Sequence, residues 1–402
     1  MSGHARVALV VGPLAALGPF AIDMYLPALP LVAADLGASV QATQVTLTAF
    51  FLAFGVCQLA YGPLSDRYGR RPPLFVGIGV FLVGSIGCLL APGIEALVVA
   101  RFVRGLGAAS VMVIPRAIVR DLHTGPEATR LMALVMLVIS VAPMTAPLIG
   151  SLVMPLGGWR AIFVLLALLA VGCLALAAFV LEETLPPEAR TATGPAAFWR
   201  GVRRLLASRA FMGFTLVAGF AMASFFIFIA SASFVYTSQF GLSPLGFSLA
   251  FAINAVGFFA ASQFAATLGE RHGMARVVLV AVAGFAALAT LLTALVLAGL
   301  GTLPVIIALL FAANACLGLV MPTTMVMALD PHPDIAGLAS SLGGTLQMVI
   351  GGAMMALAGP FFNGTATPMV AAIALAGLLA AGTAVATFRG RPGAFAAATE
   401  PQ

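Results

Sequence analysis

Twelve separate runs of apolar residues, beginning near positions 7, 43, 73, 96, 130, 160, 210, 244, 275, 302, 334 and 367, decide the medium in which this chain folds. Each is long enough to cross the hydrocarbon layer, for which an α-helix needs about 20 residues. With 62% hydrophobic and 8% charged residues in a chain of 402, there is too little polar surface to wrap a soluble globule. The expectation is an all-α integral membrane protein of twelve transmembrane helices. The first run exceeds a signal-peptide apolar region, carries Asp23, lacks a clear cleavage site and is followed by eleven more, so it is expected to be retained.

The formal charge of +6 could suit nucleic acid, but the basic residues are not gathered into one patch. They mark orientation instead. A cytoplasmic N-terminus places Arg67, Arg70, Arg71, Arg120, Arg200, Arg203, Arg204, Arg271 and Arg276 at inside ends or loops, while Arg101, Arg104 and Arg160 fall elsewhere. The positive-inside rule then predicts both termini inside. All nineteen basic residues are Arg, so the lysine of a phosphate-binding Walker loop is absent and ATP hydrolysis by that route is excluded. Cys57, Cys88, Cys173 and Cys316 are isolated within apolar runs, without metal-ligand spacing, and are expected to pack as small hydrophobes.

The segment Gly62-Pro63-Leu64-Ser65-Asp66-Arg67-Tyr68-Gly69-Arg70-Arg71 joins the second and third runs. A looser copy, Gly269-Glu270-Arg271-His272-Gly273-Met274-Ala275-Arg276, occupies the corresponding place in the second half, so the chain reads as two related halves. Residues 1–182 form the first six-helix half, 183–209 a cytoplasmic linker and 210–402 the second half. In the linker, Phe198, Val202, Leu205 and Leu206 recur at helical spacing with Arg200, Arg203 and Arg204 between them. Two readings stand: a helix lying on an anionic membrane surface, or a flexible solvated tether.

Charges inside the spans are rare and expensive, about 2.5 to 3.5 kcal/mol each on insertion scales, and normally face a cavity or a partner. Asp23 in the first span and Arg101 in the fourth fall at nearly the same depth when counted at about 1.5 Å per residue. They can pair statically, or share a water-filled cavity in which each waits for a ligand. Between Arg209 and Arg389 the charged residues are Glu270, Arg271, Arg276, Asp330 and Asp334, all at predicted cytoplasmic ends. Proton coupling, if present, therefore belongs to the first half.

These segments carry a resemblance. Gly62–Arg71 resembles the cytoplasmic signature of the major facilitator superfamily, and Ala21-Ile22-Asp23-Met24-Tyr25-Leu26-Pro27-Ala28-Leu29-Pro30 resembles the first-helix motif of its Bcr/CflA subfamily of drug:proton antiporters. Arg101-Phe102-Val103-Arg104-Gly105-Leu106-Gly107 is similar to the fourth-helix motif, with Arg104 where Gln or His is more usual. Arg104 has two readings, biasing the cavity toward anionic or neutral substrates or bonding backbone carbonyls. The stretch from Ala142 to Ser151, with Ala146, Pro147 and Gly150, resembles the antiporter motif of exporters. Further likeness runs through Phe225–Tyr236, Gly241–Pro244, Phe247–Asn254 and Ala336–Gly352.

The resemblance implies two pseudo-symmetric six-helix halves with a substrate site between them. It implies proton-coupled efflux of small, largely apolar drugs or toxic compounds across the bacterial inner membrane by alternating access. Proton coupling would fall to Asp23 and Arg101. The substrate cavity would draw on Met24, Tyr25, Arg104, Pro143, Pro147, Phe225, Phe226, Phe228, Tyr236, Asn254, Asn314 and Gln347, a mostly apolar set with a few polar groups. Gly62, Asp66, Arg67, Gly69, Arg70 and Asp121 would form a gate, with Arg67 and Arg70 reaching Asp121 and Asp66 accepting from helix N–H groups near Asp334 and Ile335. No catalytic residue, metal or cofactor is implied beyond the proton gradient; the partners are protons, a small-molecule substrate and membrane lipid, with no nucleic acid, in a monomer. Export of an endogenous metabolite with incidental drug efflux, and a transport-inactive sensor, remain alternative readings.

Overall fold

The computed structural model describes residues 3–122, 125–190 and 195–389. Among them there is no strand, as hydrocarbon demands of an open chain: each spanning segment must satisfy its backbone polar groups internally, and a helix does so. The helices are α1 (Gly3–Asp23), α2 (Leu29–Asp35), α3 (Val40–Tyr68), α4 (Arg71–Leu89), α5 (Ile94–Leu122), α6 (Gly125–Val153), α7 (Arg160–Phe179), α8 (Pro195–Ala207), α9 (Arg209–Phe234), α10 (Pro244–Ser262), α11 (Ala265–His272), α12 (Met274–Leu297), α13 (Leu303–Leu329), α14 (Ala336–Ala358) and α15 (Ala366–Arg389). Twelve segments are long and apolar enough to cross a membrane, from Leu9–Asp35, which takes in α1 and α2, to Ala366–Arg389. Their outer faces carry exposed apolar side chains such as Val83 and Leu168, which suit lipid.

Several spans start on a serine cap. Ser39, Ser208 and Ser243 each accept, at 3.1 to 3.3 Å, from the backbone N–H three residues on, satisfying one of the free donors at the starts of α3, α9 and α10. The two signature loops share a backbone device: Gly69 between α3 and α4 has φ +92°, and Gly273 between α11 and α12 has φ +81°. Both values lie where a side chain is strained, which is why glycine recurs in the two copies.

The chain divides into two compact units between Pro195 and Ala196, inside the connection that joins the sixth and seventh spans. In the first unit, α5 lies close to α3 and α4. A β-carbon on Gly105 would come within 2.4 Å of the Phe50 carbonyl oxygen, and one on Gly84 within 2.5 Å of the Arg104 nitrogen. Hydrocarbon offers no hydrophobic drive between helices, so this approach gains its energy from van der Waals contact. At the α3-start end of the unit, Asp35 accepts from Trp159 Nε1 at 2.9 Å and Arg160 Nη1 at 2.7 Å, fastening α2 to α7.

In the second unit, α8 is a helix rather than a loose tether. Its Val202 and Leu205 are buried, Gly201 lies against Leu338 of α14, and Arg204 pairs with Asp334 at 2.5 Å. Trp199 and Leu206, by contrast, are exposed.

The tightest helix approach in this unit is at Gly318, where a β-carbon would fall 2.1 Å from the Phe258 carbonyl, whereas Gly382 has nothing within 4 Å. Gly318→Ala should therefore destabilise by about 1–3 kcal/mol through overpacking, while Gly382→Ala should be neutral or slightly stabilising. Unfolding midpoints of the two purified variants check this, and equal midpoints would contradict the packing assigned to α10 and α13.

Candidate functional site

The first span is broken directly after Asp23. Pro27 has no N–H to offer the Asp23 carbonyl four residues earlier, and Pro30 withholds the same bond from Leu26. The chain turns through Met24 and Tyr25, makes a short 3-10 turn over Leu26–Ala28 and resumes as α2. Two neighbours hold the break. Arg101 Nη1 donates to the Ala21 carbonyl at 3.1 Å. Gly150 of α6 lies so close that a β-carbon there would sit 2.2 Å from the Met24 carbonyl oxygen. The Tyr25 hydroxyl and Thr46 Oγ1 are 3.2 Å apart.

Asp23 is 4% exposed, and no hydrogen bond or ion pair reaches its carboxyl among the described residues. Asp23 and Arg101 thus lie at one level without a salt bridge. Arg101 sits instead between two rings, 4.6 Å from the centroid of Tyr25 and 4.5 Å from that of Phe50. Arg104, one turn along α5, lies 4.7 Å from the Phe81 centroid and 5.2 Å from that of Phe163. Tyr25 and Phe163 are themselves 5.6 Å apart, so the two cages adjoin. Both guanidinium groups are fully buried. Of the two readings of Arg104, carbonyl bonding is met by Arg101 and not by Arg104.

The antiporter stretch lies on α6, which continues through Pro143 and Pro147. Ala146, Pro147 and Gly150 are buried, so the small residues do face a neighbour, and at Gly150 that neighbour is the break itself.

In the second unit the aromatic residues divide. Phe228 stacks on Phe251 at 5.7 Å, and Tyr236 lies 6.4 Å from Phe228 and 6.1 Å from Phe247. Tyr236 belongs to a π-helical turn, Val235–Gln239, that ends the seventh span; such turns recur at functional sites. Asn314 Nδ2 donates to Asn254 Oδ1 at 3.4 Å, linking α13 to α10. Phe225 stacks on Phe258 at 6.2 Å, Phe226 packs against Gly351 of α14, and Gln347 is half-buried on α14. Phe247 and Phe251 were not singled out in the sequence. They lie four apart on one face of α10, a spacing that could have flagged them.

The loop after α3 forms a second centre. Arg70 is buried; its Nε and Nη2 hold Asp121 at 2.7 and 3.1 Å, and its Nη1 holds Asp66 at 2.5 Å and Ser65 at 2.9 Å. Burial opposes the Arg70 charge, but the hydrogen bonds from Asp121 and Asp66 outweigh it and raise its pKa above the usual guanidinium range. Arg67 takes no part in this cluster and lies over the ring of Tyr68, 5.3 Å from its centroid. Glu183, just past the sixth span, accepts from the backbone N–H of Arg70 at 2.7 Å and of Arg71 at 3.1 Å, neutralising the start of α4. A β-carbon on Gly69 would lie 2.6 Å from Glu183, whereas Gly62 has open space around it. Thr184 adds a hydrogen bond to Asp121 at 3.1 Å. Glu183 and Thr184 were read in the sequence only as linker. The signal available was the acidic pair Glu182–Glu183, placed where the sixth run returns to the Arg-rich end.

No cluster of three or more His, Cys, Asp and Glu able to hold a metal exists among the described residues.

Residues 11–356 match the Major Facilitator Superfamily. The chain is 37% identical to YdgK, an uncharacterized MFS-type transporter of Bacillus subtilis, with 92% of each chain covered. It is 30% identical to a bicyclomycin resistance protein homolog of Haemophilus influenzae, covering 90% of this chain and 91% of the relative. It is 29% identical to multidrug resistance protein D of Escherichia coli, with 88% of each covered. A D-xylose–proton symporter has the same fold, with TM-score 0.75 at 15% identity, covering 96% of this chain and 97% of the symporter. A twelve-span helical fold, a family match over most of its length and relatives of this kind make the chain a transporter of the major facilitator superfamily, in its Bcr/CflA branch, a multi-pass protein of the bacterial inner membrane.

Proposed function

We propose that this transporter exports small, largely apolar drugs or toxic compounds in exchange for protons, by alternating access. The observation that carries the coupling is the Asp23 carboxyl: buried at the break in the first span, with no cation paired to it. A carboxyl so placed takes up and gives up a proton without first breaking a salt bridge, and Arg101, bonded to the Ala21 carbonyl two residues earlier, supplies a positive charge on a neighbouring helix. The relatives named for bicyclomycin and multidrug resistance support drugs as the cargo. The aromatic group of Phe228, Tyr236, Phe247 and Phe251, with the Asn254–Asn314 pair, suits an apolar compound carrying a few polar atoms.

The driving force is ample, since each proton moved is worth about 2.3 kcal/mol per 100 mV and about 1.4 kcal/mol per pH unit. Arg-rich loops argue for cytoplasmic termini. The cluster of Arg70, Asp66, Asp121 and Glu183 then lies on the cytoplasmic side and works as a latch that must open for the inward-facing state.

Asp23→Asn removes the proton site and leaves the shape. In proteoliposomes under an imposed pH gradient, wild type should show drug-dependent proton flux and Asp23→Asn should lose it by at least about tenfold; unchanged flux in the variant would sink the assignment.

Glu183→Gln weakens three charge-assisted bonds, from the backbone N–H groups of Arg70, Arg71 and Leu185, each worth about 1.5–3 kcal/mol with an ionised acceptor. It should shift the balance toward the open latch by roughly tenfold or more, read as increased labelling of a cysteine placed at position 62, where there is open space. Unchanged labelling would remove Glu183 from the latch.

A further inference from the structure

We propose that Arg101 and Arg104 form a binding site for a small monovalent anion inside the first unit. Five of their guanidinium nitrogens, Nε and Nη2 of Arg101 and Nε, Nη1 and Nη2 of Arg104, are buried without a hydrogen-bond partner. Both side chains have zero exposure. Guanidinium groups keep their charge in proteins and accept nothing, so these are donors only. Leaving one such donor unpaired in a low-dielectric interior is costly, and here they are concentrated on two side chains one helical turn apart.

The surroundings offer no protein answer. Tyr25, Phe50, Phe81 and Phe163 meet the two cations through their ring faces, which offset charge but are weak acceptors for N–H groups. No carboxylate pairs with either Arg among the described residues: Asp35 is held by Trp159 and Arg160, Asp121 by Arg70, and Asp23 bonds neither. The polar side chains beside them are the Tyr25 hydroxyl, already bonded to Thr46, and the Cys88 thiol, a weak acceptor next to Arg104. Two like charges also repel, so an acceptor between them does more than fill vacant donors. It lowers the repulsion of the pair.

The aromatic walls set the class of ligand. Rings lie 4.5 to 5.2 Å from the two guanidinium carbons, so the donors left over are few and hemmed in by apolar walls, which selects a compact anion, and full burial disfavours a doubly charged one, whose desolvation is more expensive. Chloride, nitrate and a carboxylate group share the chemistry required. The source is either a free inorganic ion or the acidic end of a small organic molecule. The site does not depend on whether Asp23 carries protons or on which compound is exported.

The test is the unfolding midpoint of the full purified chain in lipid nanodiscs, at constant ionic strength, as the doubly charged sulfate is replaced by chloride, nitrate or acetate. Near saturation a site of this kind should raise the midpoint by roughly 3 °C, along a hyperbolic concentration curve. Chloride or nitrate acting alone identifies a free inorganic ion; acetate acting alone identifies the acidic group of an organic molecule. Arg104→Gln should abolish the shift, and Arg276→Gln should keep it. A wild-type midpoint that stays flat or drifts linearly with every anion would overturn the proposal, even if Arg104→Gln does not fold. So would an equal hyperbolic shift in a folded Arg104→Gln.

Discussion

The bond from Arg101 to the Ala21 carbonyl is what the first unit is arranged around. A spanning helix is stable in hydrocarbon because every backbone group is paired within it. Pro27 and Pro30 interrupt that pairing late in the first span, and beside the interruption a guanidinium on another helix donates to the Ala21 carbonyl. Placing Arg101 at that level brings α5 against α1, and the rings of Tyr25 and Phe50 cover the charge. The glycine approaches follow from the same need. Gly105 lets α5 reach α3, Gly84 lets α4 reach α5 beside Arg104, and Gly150 lets α6 close on the break from the other side. Asp23 is thereby left as an acid whose own helix has ended and whose carboxyl meets no cation among the described residues.

The unit is tied at its two ends by different chemistry. At the start of α3 the tie is Asp35 with Trp159 and Arg160, a partly exposed ion pair of modest strength. At the end of α3 the tie centres on a buried Arg70: a bidentate pair with Asp121, an exposed Asp66 as a second acceptor, and Glu183 on the backbone of the loop. Removing a partner from a buried network costs far more than removing one from a surface pair. Losing a partner at the Arg70 end therefore costs the unit more than losing one at the Asp35 end.

The twelve spans were legible in the sequence because a run of apolar residues has one cheap solution in a membrane, and the helices begin within a few residues of the predicted starts. The signature loop was legible because Gly69 needs a positive φ and because Arg70 and Asp121 are charges with few alternative partners. Facing residues were not. Phe50, Phe81 and Phe163 cage the two arginines, yet a spanning helix that is apolar all round shows no stripe to say which ring faces which neighbour. The same holds for Phe247 and Phe251 beside Tyr236. Asp23 and Arg101 could be set at one depth by counting residues. That Arg101 bonds a carbonyl while Asp23 goes unpaired depends on how far apart two helices stand, which counting does not give.

Glu183 has one more role, because it is also where the connection toward the second unit begins. Held against the α3–α4 loop, it pins the first residues of that connection to the body of the first unit. The connection therefore begins, mechanically, not at the end of the sixth span but past Glu183, where one carboxylate lets go of the loop.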